Sequence, residues 1–183
     1  RSRYALNWTR ISLSGSFLNC LHYFRMAQAD VAFSYDWKAT RYVSNTLTPI
    51  KLTYTKLLST TAEFDSIMLD NQAVAQSFRD QFVPQVQYSL IYDRSFDRNN
   101  KVNCQFTVQE AGNVCWALWQ LAGVNENKGL FGTPFSQFVK GSAQVVYSHR
   151  FFGNHWLVSR AAVGAAHAYG NSSQVPYSEQ FYV

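Results

Sequence analysis

No apolar run in this 183-residue chain is long enough to cross a bilayer as a helix. The nearest, "VCWALWQLAGV" from Val114 to Val124, falls well short of the roughly 20 residues that a hydrocarbon core requires. Charge is sparse as well: Asp, Glu, Lys and Arg make up 15% of the residues, while Phe, Trp and Tyr make up 16%. That balance disfavours a water-exposed surface rich in Lys and Glu. Net charge is +5 and the pI is about 9.2, yet the basic residues are scattered without a run or stripe, so no nucleic-acid partner is expected. Anionic lipid headgroups meeting basic residues at a rim are the expectation that remains.

Cysteine is confined to Cys20, Cys104 and Cys115, an odd set with no C-x-x-C spacing and no companion His pattern. Neither a disulfide framework nor a zinc site follows. The chain lacks G-x-x-x-x-G-K-[ST], G-x-G-x-x-G and G-x-S-x-G, and its Asp and Glu do not cluster at calcium-loop spacing. No cofactor, no metal and no catalytic residue is therefore expected, and the protein is read as non-enzymatic. His149 and His155 flank a short turn, where a structural role is the simpler reading.

What the chain does have is alternation. "DVAFSYDWK" (Asp30 to Lys38), "VPQVQYSLIYD" (Val83 to Asp93), "KVNCQFTVQE" (Lys101 to Glu110) and "VKGSAQVVYSHR" (Val139 to Arg150) change character at every residue, so each presents two faces. Val31, Phe33, Tyr35 and Trp37 share one face, opposite Asp30, Ser34, Asp36 and Lys38. Cys104 falls in line with Val102 and Phe106 and reads as a small apolar, lipid-facing residue. Strands are expected near Arg10–Leu18, Met26–Lys38, Thr48–Leu58, Phe82–Arg94, Lys101–Glu110, Phe138–Phe151 and Trp156–Ala168.

The connections alternate too. Short, turn-like links ("ATRYVSNTL", "SFDRNN", "FGNH") fall on one side, and long ones on the other. Short periplasmic turns with long extracellular loops mark outer-membrane barrels. The fold class is thus all-β, an antiparallel transmembrane β-barrel of which about seven strands are present, with helical segments in the long loops. Thr60 and Glu63 look like a capping box opening a helix that carries Phe64, Ile67, Met68, Ala75 and Phe78. That helix is either a lid or partner-binding element, or simply packing over the barrel mouth. Trp116 and Trp119 in the second long loop read as interface anchors or loop core.

In such a barrel aromatic rings face lipid, and Gln, Asn and Ser line a wet lumen. Gln85, Gln87, Asn103, Gln105, Lys140, Gln144 and Arg160 are the candidate lumen residues. Arg160 is placed there, or near a rim, because an Arg facing lipid at mid-depth costs roughly 2–4 kcal/mol. "RSRYALNWTR" has no apolar signal region, and a barrel must be exported, so a precursor's start is expected to be missing.

At "AYGNSSQVPYSEQFYV" (Ala168 to Val183) the chain resembles the BamA/TamA-type barrel insertases, and more closely their TamL-like members. The similarity extends to "EAGN" (Glu110 to Asn113), "LFGTPFSQFVKG" (Leu130 to Gly141) and, more loosely, "TPIKLTYTKL" (Thr48 to Leu57). The resemblance implies a bacterial outer-membrane assembly factor that inserts nascent outer-membrane proteins with accessory lipoproteins or periplasmic partners. It further implies that this chain is the middle of a barrel of about sixteen strands, lacking POTRA domains, first strands and closing strands. In that family the strand like Trp156–Ala168 is followed by a long loop that folds back into the lumen. The rival readings are a transport or channel barrel with Gln85, Gln87, Lys140 and Gln144 along a solute path, and a small outer-membrane enzyme or adhesin active in its long loops.

Overall fold

A computed structural model describes residues 7–121, 129–130, 133–170, 172, 174–176 and 179–181, with backbone alone at 73, 76, 77, 118, 119, 129, 130, 133 and 134. The described elements run β1 (Asn7–Cys20), β2 (Phe24–Lys38), β3 (Val43–Thr60), α1 (Ala62–Asp70), α2 (Gln72–Ser77), β4 (Gln81–Ser95), β5 (Asn100–Ala111), α3 (Asn113–Leu121), β6 (Gly129–Leu130), β7 (Thr133–Pro134), β8 (Phe138–Arg150) and β9 (Trp156–Ala168). Seven of them form one antiparallel sheet in the order β1-β2-β3-β4-β5-β8-β9, and β6 pairs with β7 apart from it. The sheet is open, with β1 and β9 at its edges.

All seven expected strands are present, and most run longer than their alternating stretches. The largest difference lies in β3, which begins at Val43 rather than Thr48. Pro49 and the polar stretch before it look like a turn in sequence, whereas the chain stays paired on both sides and absorbs Pro49 as a bulge. The register shifts between Phe33 and Tyr35 on the β2 side and between Thr48 and Lys51 on the β4 side. A bulge is where a proline, having no N–H to donate, fits inside a sheet. Ser34 and Thr48 hydroxyls meet across it at 2.9 Å.

The helical loop also differs in detail. Thr61, not Thr60, is the N-cap: its Oγ1 accepts from the Phe64 N–H at 3.4 Å, and Thr60 ends β3. The single expected helix is two, broken at Asn71, whose side chain accepts from the Val74 N–H. Phe64 and Phe78 pack there on Phe24 and Met26 of β2, with Cys20, Leu57, Met68 and Val74 around them. The two helices thus cover one end of the sheet.

Cross-strand register sorts the sheet into two faces. Thr46, Ser89 and Thr107 stand in one row, and Lys51, Gln85 and Ala111 in another, all on the polar face. Ile11 and Phe33, Leu47 and Tyr88, and Phe106 and Ala143 pair on the opposite, apolar face. Burial is inverted relative to a water-soluble sheet. Thr53 is 0% exposed and Gln85 3%, whereas Ile11 is 77% and Leu13 80%. Ser34, Thr48, Gln81 and Gln109 are buried, while Val31, Phe33, Ile50 and Val145 are exposed.

Candidate functional site

Every candidate lumen residue lies on the polar face. Gln87 on β4 pairs with Gln109 on β5, and Gln109 pairs with Lys140 on β8. Gln105 pairs with Gln144, and Asn103 with Val146, which pairs with Arg160 on β9. Gln85 stands two residues before Gln87 on the same face. The Arg160 guanidinium donates to the Gln144 side-chain oxygen at 2.8 Å. No carboxylate pairs with Arg160 among the described residues.

The segment after β9 folds back over this face. At Gly170 the backbone takes φ +62, which glycine adopts readily, and a Cβ there would collide with the Gln137 side chain. Tyr169 N–H donates to the Gln137 carbonyl at 3.1 Å, and Gln137 N–H donates to the Ser172 hydroxyl at 3.0 Å. Val175 then packs, as Ala168 does, against the cluster of Val83, Ala111 and Phe138, a small apolar collar at the long-loop end of the polar face. Pro176 is fully buried.

Beyond the collar Glu179 enters the polar row. Its carboxylate accepts from Gln85 Nε2 at 2.7 Å and from Gln109 Nε2 at 2.9 Å. Lys51 Nζ and Lys140 Nζ lie 3.7 and 3.8 Å from its two oxygens, and Lys140 also donates to its backbone carbonyl at 2.8 Å. One buried carboxylate is therefore held by side chains from four neighbouring strands: β3, β4, β5 and β8. Two amide donors and two cations offset the desolvation that would otherwise oppose burying it. Phe181 follows, with Lys140 Nζ 4.5 Å above its ring. Gly164 lets the tip of that ring approach β9, since a Cβ there would lie 2.6 Å from its Cζ.

Two further polar clusters occupy the same face. Asp30 accepts from Thr53 Oγ1 at 2.6 Å and from Gln28 Nε2 at 3.1 Å. Asp36 accepts from Thr46 Oγ1 at 2.6 Å and from Arg10 Nη2 at 2.7 Å. Among the described residues no group of three His, Cys, Asp or Glu side chains is arranged to hold a metal.

The apolar face grades along its height. Tyr35 and Trp37 stack at 5.6 Å and Trp37 lies 6.4 Å from Tyr88 toward the short turns, while Tyr54 and Phe82 pair at 6.4 Å toward the long loops. Cys104 lies on this face with Val102 and Phe106. His149 and Tyr147 approach one oxygen, Asn100 Oδ1, at 2.7 and 2.6 Å. His155 closes the β8–β9 turn through its backbone. Cys20, Cys104 and Cys115 are free thiols, and burial, then the nearby Glu110, pushes the Cys115 thiol up. Trp116 is exposed on α3; the Trp119 side chain and most of "VNENKGLFGTP" lie outside the described residues.

Lys51, Gln109 and Glu179 complete the site but do not stand among the candidates. Gln109 continues the alternation of Asn103, Gln105 and Thr107, so its signal was present. The Pro49 bulge obscures the parity of Lys51, and Glu179 sits in irregular backbone with no period to follow. Compared with protein-family models, with characterised proteins and with solved structures, the chain gives no match.

Proposed function

We propose that this chain is part of a transmembrane β-barrel of the bacterial outer membrane, serving in the assembly and insertion of other outer-membrane proteins. The observation that carries the membrane reading is the inverted amphipathicity: buried threonines and glutamines on one face, exposed aliphatic and aromatic side chains on the other. In water such a sheet would leave its largest apolar surface unburied, whereas in lipid that surface is solvated and the polar face encloses water. Dimensions agree. Tyr92 and Phe82 mark the two ends of the apolar face of β4, ten residues apart in sequence. That is about 34 Å along a strand and about 26 Å along the membrane normal at a tilt of about 40°, close to the roughly 25 Å apolar band of such barrels.

The assembly role rests on the resemblance to the BamA/TamA family, most specific at Ala168 to Val183. What supports it is the in-folded segment carrying Glu179, the behaviour expected of the lumen loop that the resemblance implies. Nascent outer-membrane proteins are the proposed substrates; accessory lipoproteins or periplasmic proteins are the proposed partners.

The test is reconstitution of the full-length protein in phospholipid vesicles, followed by refolding of a urea-unfolded eight-stranded barrel. The expected result is a faster gain of the heat-modifiable folded form than in empty vesicles. Unchanged folding, together with solute conductance through the same vesicles, would favour the transport reading.

A further inference from the structure

We propose that the short-turn rim of the sheet binds the phosphate headgroups of anionic phospholipids, with Arg41, Arg94 and Arg98 as the recognising cations. The inference rests on the membrane-spanning reading above. Segments 38–43, 93–101 and 150–156 form this rim and hold Lys38, Arg41, Arg94, Arg98, Lys101 and Arg150 against two carboxylates, Asp93 and Asp97. The opposite end reverses the sign. There, in segments 20–25, 59–82 and 110–121, Glu63, Asp65, Asp70, Asp80 and Glu110 stand against Arg25 and Arg79.

The rim's own carboxylates are engaged elsewhere. Asp93 pairs with Lys101 at 3.4 Å. Asp97 serves its turn, accepting from the backbone N–H groups of Asn99 and Asn100 at 2.7 Å each. Arg150 likewise closes its own turn, donating to Asn154 Oδ1 at 3.0 Å. Among the described residues no carboxylate pairs with Arg41, Arg94 or Arg98.

Arg94 lies on the apolar face of β4, and its guanidinium carbon stands 5.0 Å from the ring centroids of both Tyr42 and Phe96. Arg41 lies 5.9 Å from the same Tyr42 ring. These aromatic contacts, with the Tyr92 side chain as a hydrogen-bond partner of Arg94, hold the guanidinium groups at the rim, and the five N–H donors of a guanidinium leave others to pair with a phosphate. An acidic protein would also answer the charge. Arg94, however, stands where the apolar face ends, one step beyond Tyr92, with Arg41 and Arg98 in the neighbouring turns, so an anion joined to acyl chains meets both the charge and the adjoining apolar surface.

The test uses the full-length protein in phosphatidylcholine vesicles with trace spin-labelled phosphatidylglycerol or spin-labelled phosphatidylcholine. The motionally restricted fraction of each label is read by electron paramagnetic resonance. The expected result is a preference of about fivefold for phosphatidylglycerol, the factor matching about 1 kcal/mol per cation near a membrane surface. It should vanish in Arg41→Gln/Arg94→Gln/Arg98→Gln and, in the unaltered protein, at about 1 M salt, where the screening length is about 3 Å. The salt arm stands even if the variant fails to fold. Equal restriction of both lipids by the unaltered protein would overturn the proposal and leave the rim to an acidic protein. A preference that survives the triple substitution would also overturn it. No restricted lipid of either kind would instead sink the membrane-spanning reading itself.

Discussion

Glu179 is the residue on which most of the polar face converges, and its environment dictates how substitutions there should behave. Glu179→Ala removes the acceptor for two buried amides and the counter-charge of Lys51 and Lys140. Orphaning buried partners in this way costs about 3 kcal/mol. Glu179→Gln keeps one acceptor oxygen and should cost about 1 kcal/mol. Limited proteolysis of the segment after Ala168 checks this: cleavage should be much faster in the alanine variant and only modestly faster in the glutamine one. Equal rates in all three proteins would mean that the carboxylate does not hold the segment. Asp97 offers a pH-dependent counterpart in the β4–β5 turn. The side chain of Asn100 and the backbone N–H of Asn99 hold its carboxyl below the usual range. A depressed native pKa contributes stability that is present above the unfolded value and is lost as pH falls through the native one. Amide exchange at Asn99 and Asn100 should therefore lose its protection in acid, and Asp97→Asn should remove that acid dependence.

At the scale of elements, what was legible followed from periodicity. β4, β5 and β8 pair without a register shift and alternate over most of their length, so Gln85, Gln87, Asn103, Gln105, Lys140 and Gln144 could be read off the chain, whereas Arg160 on β9, which shares its face with Trp156 and Val158, was legible only through the cost of an Arg in lipid. β3 was half hidden because Asn45 puts a polar residue on the apolar face and Pro49 shifts the register. Only the fold reveals that the Tyr88 hydroxyl donates to Asn45 Oδ1 at 2.8 Å, which satisfies the misfit. The returning segment was legible only through the family resemblance, because contacts between Glu179 and strand residues 39 to 128 positions away leave no local pattern. Helix α1 was found from its capping residues and misplaced by one position, since Thr60 and Thr61 are equally suited and the β3 pairing of Thr60 with Phe24 decides between them. Thr61→Ala should cost about 1 kcal/mol of local stability. Hydrogen exchange should then quicken over residues 62–70 while the sheet amides stay protected; a uniform change across the sheet would contradict a purely local cap.

For the molecule as a whole, the proposed membrane reading makes the sheet inside out: its exposed apolar face would meet lipid and its polar face would enclose water. The open edges at β1 and β9 expose unpaired backbone groups, which a bilayer does not tolerate, so within the membrane reading further strands must pair there. Charge supports a fixed orientation, with cations at the short-turn rim and carboxylates at the long-loop end. The most direct measurement places single spin labels at successive β4 positions, Gln85 to Leu90, of the full-length protein in lipid bilayers. Collision rates are then measured with oxygen, which concentrates in lipid, and with a water-soluble nickel chelate. Oxygen maxima are expected at Val86, Tyr88 and Leu90, and chelate maxima at Gln87 and Ser89, alternating with period two, with Gln85 shielded from both by the segment that carries Glu179. Chelate access to the even positions, with oxygen no higher there than at the odd ones, would contradict the membrane reading and make this sheet part of a water-soluble protein.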